Sequence, residues 1–189
     1  MKRLISIPLL AAALAGCSIN PAPESASPAT PAAFAGAVSA ADPRAQAAGE
    51  AMLARGGSAT DAAIAVMLAL TVVEPQSSGI GGGGFMVRGM PDGTVATFDG
   101  RETAPAGATP EWFLDENGEV PPRSESVRSG LSVGVPGNIA LAAKAHAAHG
   151  KLVWADLFEP AIRLARSGFE INPRLNGMLE SARNRSAHS

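Results

Sequence analysis

Gly56-Gly-Ser-Ala-Thr-Asp61-Ala-Ala-Ile-Ala65-Val-Met-Leu-Ala-Leu70-Thr-Val-Val-Glu-Pro75 is a helix written between its own start and stop signals. Ser58 and Asp61 stand at capping-box spacing, a hydroxyl at the N-cap and an acid three residues on. From about Thr60 to Val73 the segment is apolar nearly all round, so it predicts a helix covered on most of its sides. Pro75 ends it. The apolar run Ala62–Val73 is 12 residues, far short of the roughly 20 that a bilayer span needs.

The pattern extends in both directions. Upstream, Asp42-Pro43 pairs an N-cap with a proline at the first helical position. A helix to Arg55 would bury Ala45, Ala48, Met52 and Leu53, and Gly56-Gly57 would stop it. Downstream, residues 76–84 are a glycine-rich loop. Phe85–Arg88 and Thr94–Asp99 are strand-like, with Pro91-Asp92-Gly93 as the turn of a hairpin. Residues 103–130 are polar and proline-rich, with a short helix expected near Glu111–Leu114. Pro136–His149 is helical in composition and closed by Gly150. Trp154–Ser167 is a further helix, with Pro160 marking a break or a first turn. Residues 179–189 carry almost no bulky apolar side chain and are expected to add no element.

The N-terminus reads as an address. Lys2 and Arg3 precede an apolar stretch, Leu4–Ala15, ending in Leu14-Ala15-Gly16-Cys17. That end resembles a bacterial lipobox, so residues 1–16 are expected to be a lipoprotein signal peptide and Cys17 the lipid-bearing residue. Residues 18–41 hold 9 Ala, 4 Pro and 4 Ser and one charge, Glu24. Too little bulky apolar surface is present there to offset ordering, so 17–41 reads as a tether. The expected location is the cell envelope, facing the periplasm, with outer-membrane sorting suggested by Ser18.

Composition narrows the function. Hydrophobic residues make up 46% and charged residues 17% of the 189, which describes a globular chain. The net charge of -2 argues against a nucleic-acid binder, which normally carries a basic excess. A single Cys excludes an internal disulfide framework and any Cys-based zinc site.

Four constellations carry possible chemistry. Gly79-Ile-Gly81-Gly-Gly-Gly84 fits the dinucleotide fingerprint formally, but it lies after a helix and before a strand, the reverse of the context that brings phosphate to a helix N-terminus. A close backbone crossing is the better reading. Gly130-Leu-Ser132-Val-Gly134 fits the nucleophile elbow, but the preceding PPRSESVRS is too polar for a buried strand, and His188 lies in the tail. His146 and His149 share one helix face with no further ligand nearby in sequence, so no metal is expected. Arg101 directly follows the second strand. It could hold a substrate carboxylate through both arms of its guanidinium, or pair locally with Asp99 or Glu102; the residues alone leave both open.

Several of these stretches, in order, resemble the gamma-glutamyltransferase family. They are Gly56–Ala65, Glu74-Pro75 with Ser78–Met86, Phe98–Pro105, Val135-Pro136-Gly137, Ala145-His146 with Gly150, and Leu157–Ile162 through Gly168-Phe169. The similarity covers about residues 42–178. It implies an α+β fold, part of a four-layer αββα sandwich of the N-terminal-nucleophile hydrolase type. It also implies gamma-glutamyl transfer or hydrolysis of glutathione-type donors without a cofactor. The nucleophile would be a Thr freed by self-cleavage, acting with its own amine as base. The expected partners are a small-molecule gamma-glutamyl substrate, a small subunit from the same precursor, and a membrane through the lipid. By the same resemblance Arg101 binds the donor α-carboxylate. No catalytic residue is assigned. Thr30, Thr60, Thr71, Thr94, Thr97, Thr103 and Thr109 all lack the Thr-His or Ser-His that follows the family's nucleophile. The chain therefore reads as an N-terminal piece of the large subunit, inactive alone. The alternatives are a non-catalytic lipid-anchored remnant, or a related amidase or acylase.

Overall fold

A computed structural model describes residues 36–186. The signal peptide, Cys17, most of the tether and His188 lie outside the described residues.

Helix α1 spans Pro43–Ala54 and α2 spans Ala59–Val73, packed side by side. Asp42 caps α1 by accepting from the Arg44 N–H at 2.9 Å. Arg55 closes α1, and Gly56, at φ +82°, turns the chain away in a region that side chains avoid. The capping box forms as the spacing predicts: Asp61 N–H donates to Ser58 Oγ at 3.1 Å and Ser58 N–H to Asp61 Oδ2 at 2.7 Å. Ile64, Ala65, Leu68, Ala69 and Val73 of α2 are buried against Ala45, Ala48 and Met52 of α1 and Leu157 and Ala161 further on. Leu53 packs on this core but keeps part of its surface in water.

The end of the expected tether belongs to this packing. Ala40 sits against the core, and Val38 lies 3.0 Å from where a Cβ on Gly49 would be. Small residues let the backbone approach α1 closely, which composition alone had favoured reading as free chain.

Strands β1 (Gly84–Gly89) and β2 (Val95–Gly100) form the antiparallel hairpin, with Gly84 opposite Gly100 and Arg88 opposite Ala96. One face, through Met86, Ala96 and Phe98, packs on Leu141 and Ala145 of α4 (Asn138–His149). The other face carries Phe85, Val87 and Val95 in the open.

Two expectations change. Residues 109–114 form turns, with isolated bonds from Trp112 N–H to Thr109 O and Leu114 N–H to Glu111 O. The Trp112 indole is drawn off to Leu131 O at 2.8 Å, and the only helix of this stretch is α3, the four residues Arg123–Ser126. The tail is helical: after α5 (Glu159–Ser167), α6 runs over Pro173–Ser186. Asn172-Pro173 starts it, Asn172 Oδ1 accepting the Leu175 N–H at 2.8 Å, a cap and first-position proline like those of α1. Pro160 falls in the first turn of α5, preceded by a 3-10 turn over Trp154–Phe158.

Candidate functional site

The glycine loop is bound down on both sides. Gly137 and Asn138, entering α4, both donate N–H bonds to Gly82 O at 3.1 Å. Asn138, itself buried, donates from Nδ2 to Gly79 O at 2.7 Å. Gly83 crosses the end of the hairpin so closely that a Cβ there would lie 2.5 Å from Gly100 O and 2.7 Å from Glu102 N. A Cβ on Gly137 would overlap the same Gly100 carbonyl. None of the glycines from 79 to 84 has positive φ, so closeness, not a left-handed turn, explains them. This is the backbone crossing, not a phosphate cradle.

The crossing fixes Arg101, the next residue after β2. Its backbone N–H donates to Asp99 Oδ1 at 2.9 Å, and its Nε lies 3.3 Å from Glu102 Oε2. Its side chain is 66% exposed, and its terminal nitrogens have no hydrogen-bond partner among the described residues. The local pair weighed from sequence therefore exists, but it engages Nε and leaves the outer fork open. Two clefts meet at Arg101. One, of about 770 Å³, runs along the glycine loop to Met67 of α2 and Phe85 of β1. The other, of about 650 Å³, lies under the excursion 104–134, walled by Trp112, Phe113 and Leu131. A bridge between Thr103 and Val135 closes that excursion at its base. Glu102 Oε2 is buried at the junction with no hydrogen-bond donor of its own.

The other sequence candidates fall apart in space. Ser132 sits in an exposed 3-10 turn, its Oγ donating to Ser129 O at 3.0 Å, with no strand before it. His146 Nε2 meets Leu152 O at 2.9 Å, whereas the His149 ring stands edge-on to Phe98.

Sequence reasoning found Asp42 and Asp61 as helix caps but missed the distant partners through which these acids and Glu74 hold this frame. Asp61 Oδ2 accepts from Ser58 and, across the fold, from the Lys151 N–H at 2.9 Å. Burial pushes its carboxyl up, but the N–H donors of Ser58 and Lys151, the Ser58 hydroxyl and the Leu152 N–H outweigh that and hold it below the usual 3.8. Its Oδ1 has no hydrogen bond and faces His146 at 3.7 Å. Glu74, at the end of α2, is buried and joins Arg174 and Asn172, while Arg174 also reaches Ser77 at 3.0 Å. Asn172 further donates to Asp42 at 3.4 Å. Arg44 grips Asp42 through its side chain, and that grip holds the Asp42 carboxyl below its usual value. The Asn172-Pro173 start signal was the one cue to these partners.

Comparison with known proteins agrees with this frame. The family model described as gamma-glutamyltranspeptidase matches residues 45–188. The glutathione hydrolase proenzyme of Bacillus subtilis is 47% identical over 140 residues, which is 72% of this chain and 24% of that protein. Glutathione hydrolase 2 of Arabidopsis thaliana is 44% identical over 151 residues, 80% of this chain and 25% of its own. The crystal structure of Helicobacter pylori gamma-glutamyltranspeptidase superposes with a TM-score of 0.75 at 39% identity, covering 79% of this chain and 43% of that one. The chain thus spans about a quarter of the length of these curated relatives, and by its sequence and its α+β frame it belongs to the gamma-glutamyltranspeptidase family.

Proposed function

We propose that this chain supplies the donor-carboxylate end of a site for gamma-glutamyl transfer or hydrolysis. The observation that carries the reading is the open outer fork of Arg101, with Nε at ion-pair distance from Glu102, set where two clefts meet. A guanidinium fork offers two parallel N–H donors to one carboxylate, which fixes the angle as well as the position of a donor's α-carbon. The nucleophile, its oxyanion donors and the second sheet would come from the rest of a longer enzyme. The uncovered face of the hairpin supports the four-layer αββα arrangement, since Phe85 and Val87 are 67% and 70% exposed. A small subunit from the same precursor is the proposed partner there. A lipid at Cys17 is proposed to hold the assembly in the cell envelope.

The test is a chimera in which residues 42–178 replace the matched region of the B. subtilis relative. Arg101→Lys keeps the charge and loses the fork. Loss of a charge-assisted hydrogen bond, about 1.5–3 kcal/mol, should raise the donor KM roughly ten-fold or more while self-cleavage proceeds. A mutant that loses stability but keeps its donor KM would make Arg101 structural.

A further inference from the structure

At the end of β1 away from Arg101, a cleft of about 670 Å³ opens beside the amino end of α2. Arg88, His149 and Lys151 line it together with Ser58 and Ala59, and no acidic side chain among the described residues does. Gly36–Ser39, the described end of the expected tether, form part of its wall. Arg88 is the informative residue. The residue is half-buried, its Nε is shut off from solvent with no partner among the described residues, and the one hydrogen bond of its side chain there goes to the thioether of Met90. A thioether is a weak acceptor, and a guanidinium carries five donors. The buried acid of the adjoining α2 start, Asp61, is occupied: its Oδ2 takes the Ser58, Lys151 and Leu152 N–H groups, and its Oδ1 faces His146. Among the described residues no acidic side chain pairs with Arg88, and an arginine drawn partly out of water without an acceptor is costly.

We propose that this cleft binds a phosphate group. Arg88 and Lys151 supply the charge, and His149 supplies a ring N–H. A phosphate presents enough oxygens for all three donors at once, whereas a carboxylate presents two. The phosphate can belong to a soluble ion or ester, or to a phospholipid headgroup brought near by the tether; the chemistry at Arg88 is the same.

The test uses the full chain and titrates inorganic phosphate by calorimetry, with acetate at equal ionic strength beside it. Vesicles of phosphatidylglycerol and of phosphatidylcholine are compared by sedimentation, the second correcting for any insertion of the apolar N-terminus. Phosphate binding, weakened at least ten-fold by Arg88→Gln and by Lys151→Gln, supports the site and a soluble source. Capture on phosphatidylglycerol alone, lost in the same variants, supports the site and a headgroup source. Lys151 is exposed and bonds Asp61 only through its backbone, so Lys151→Gln reads binding even if Arg88→Gln misfolds. Acetate binding as tightly as phosphate, no binding to any probe, or binding indifferent to Lys151→Gln overturns the proposal.

Discussion

The helical half and the hairpin half of this molecule treat polarity differently. Around α2 the buried acids Asp42, Asp61 and Glu74 each meet several donors, at least one of them from a distant segment, although Asp61 Oδ1 is left to face His146. Around the hairpin, Arg101 keeps an open fork, Glu102 has an oxygen with no donor, and Phe85 and Val87 face water. A region whose groups are paired within itself is a scaffold. A region that leaves charges unpaired and apolar side chains uncovered is built to meet something else. This contrast is the ground on which we propose that the site lies on the hairpin side.

The strongest way to break this contrast is at Asp61. Asp61→Ala removes the acceptor for Ser58, Lys151 and Leu152 at once and strands buried N–H groups. We expect a loss of about 3 kcal/mol or more in urea unfolding, because hydrogen bonds to a charged group count for about 1.5–3 kcal/mol each and are not additive. A loss under about 1 kcal/mol would mean the helical half does not depend on this anchor.

Acid should act on the same half. Asp42 and Asp61 both titrate below their ordinary 3.8 in the folded chain. The unfolded state therefore binds more protons through that range, and stability rises with pH. Their contribution is complete above the unfolded value and is lost as pH falls through the lower folded values. Thermal melts from pH 6 downward should hold nearly level to about pH 5 and then fall steeply below about pH 4. Asp61→Asn should flatten part of that fall.

A smaller change joins the two halves. Gly83→Ala puts a methyl 2.5 Å from Gly100 O and 2.7 Å from Glu102 N, both backbone atoms that cannot swing away. Overpacking of this kind costs about 1–3 kcal/mol. In the chimera it should also displace Arg101 and raise the donor KM; a mutant with unchanged melting would show that the crossing has slack.

Local signals carried most of the helical half. The Ser58–Asp61 spacing, Asp42-Pro43 and the apolar run of α2 each specify an element through neighbours a few residues away, and all three formed. The hairpin was legible for the same reason, from turn chemistry at Pro91-Asp92-Gly93. What stayed hidden were partners far apart in the chain. Nothing near Asp61 announces Lys151, and nothing near Glu74 announces Arg174. The tail was misread because α6 carries mostly polar residues, so hydrophobic periodicity was silent and only Asn172-Pro173 marked the start. Arg101 was found as a candidate, but its open fork and the two clefts beside it required the fold.

The smallest expected effect sharpens the contrast best. Val87→Thr on the open face of β1 keeps the β-branched shape opposite Thr97 and replaces a methyl with a hydroxyl. With Val87 70% exposed, the change should shift the stability of this chain by no more than about 0.5 kcal/mol. In the chimera, if a second sheet covers that face, the hydroxyl is buried without a partner and should cost about 1–3 kcal/mol. Equal small effects in both would mean that the face stays wet in the longer enzyme, and the four-layer arrangement would lose the exposure of Phe85 and Val87 as its support. A large effect in the chimera alone would show that the open side of the hairpin is where this chain is completed.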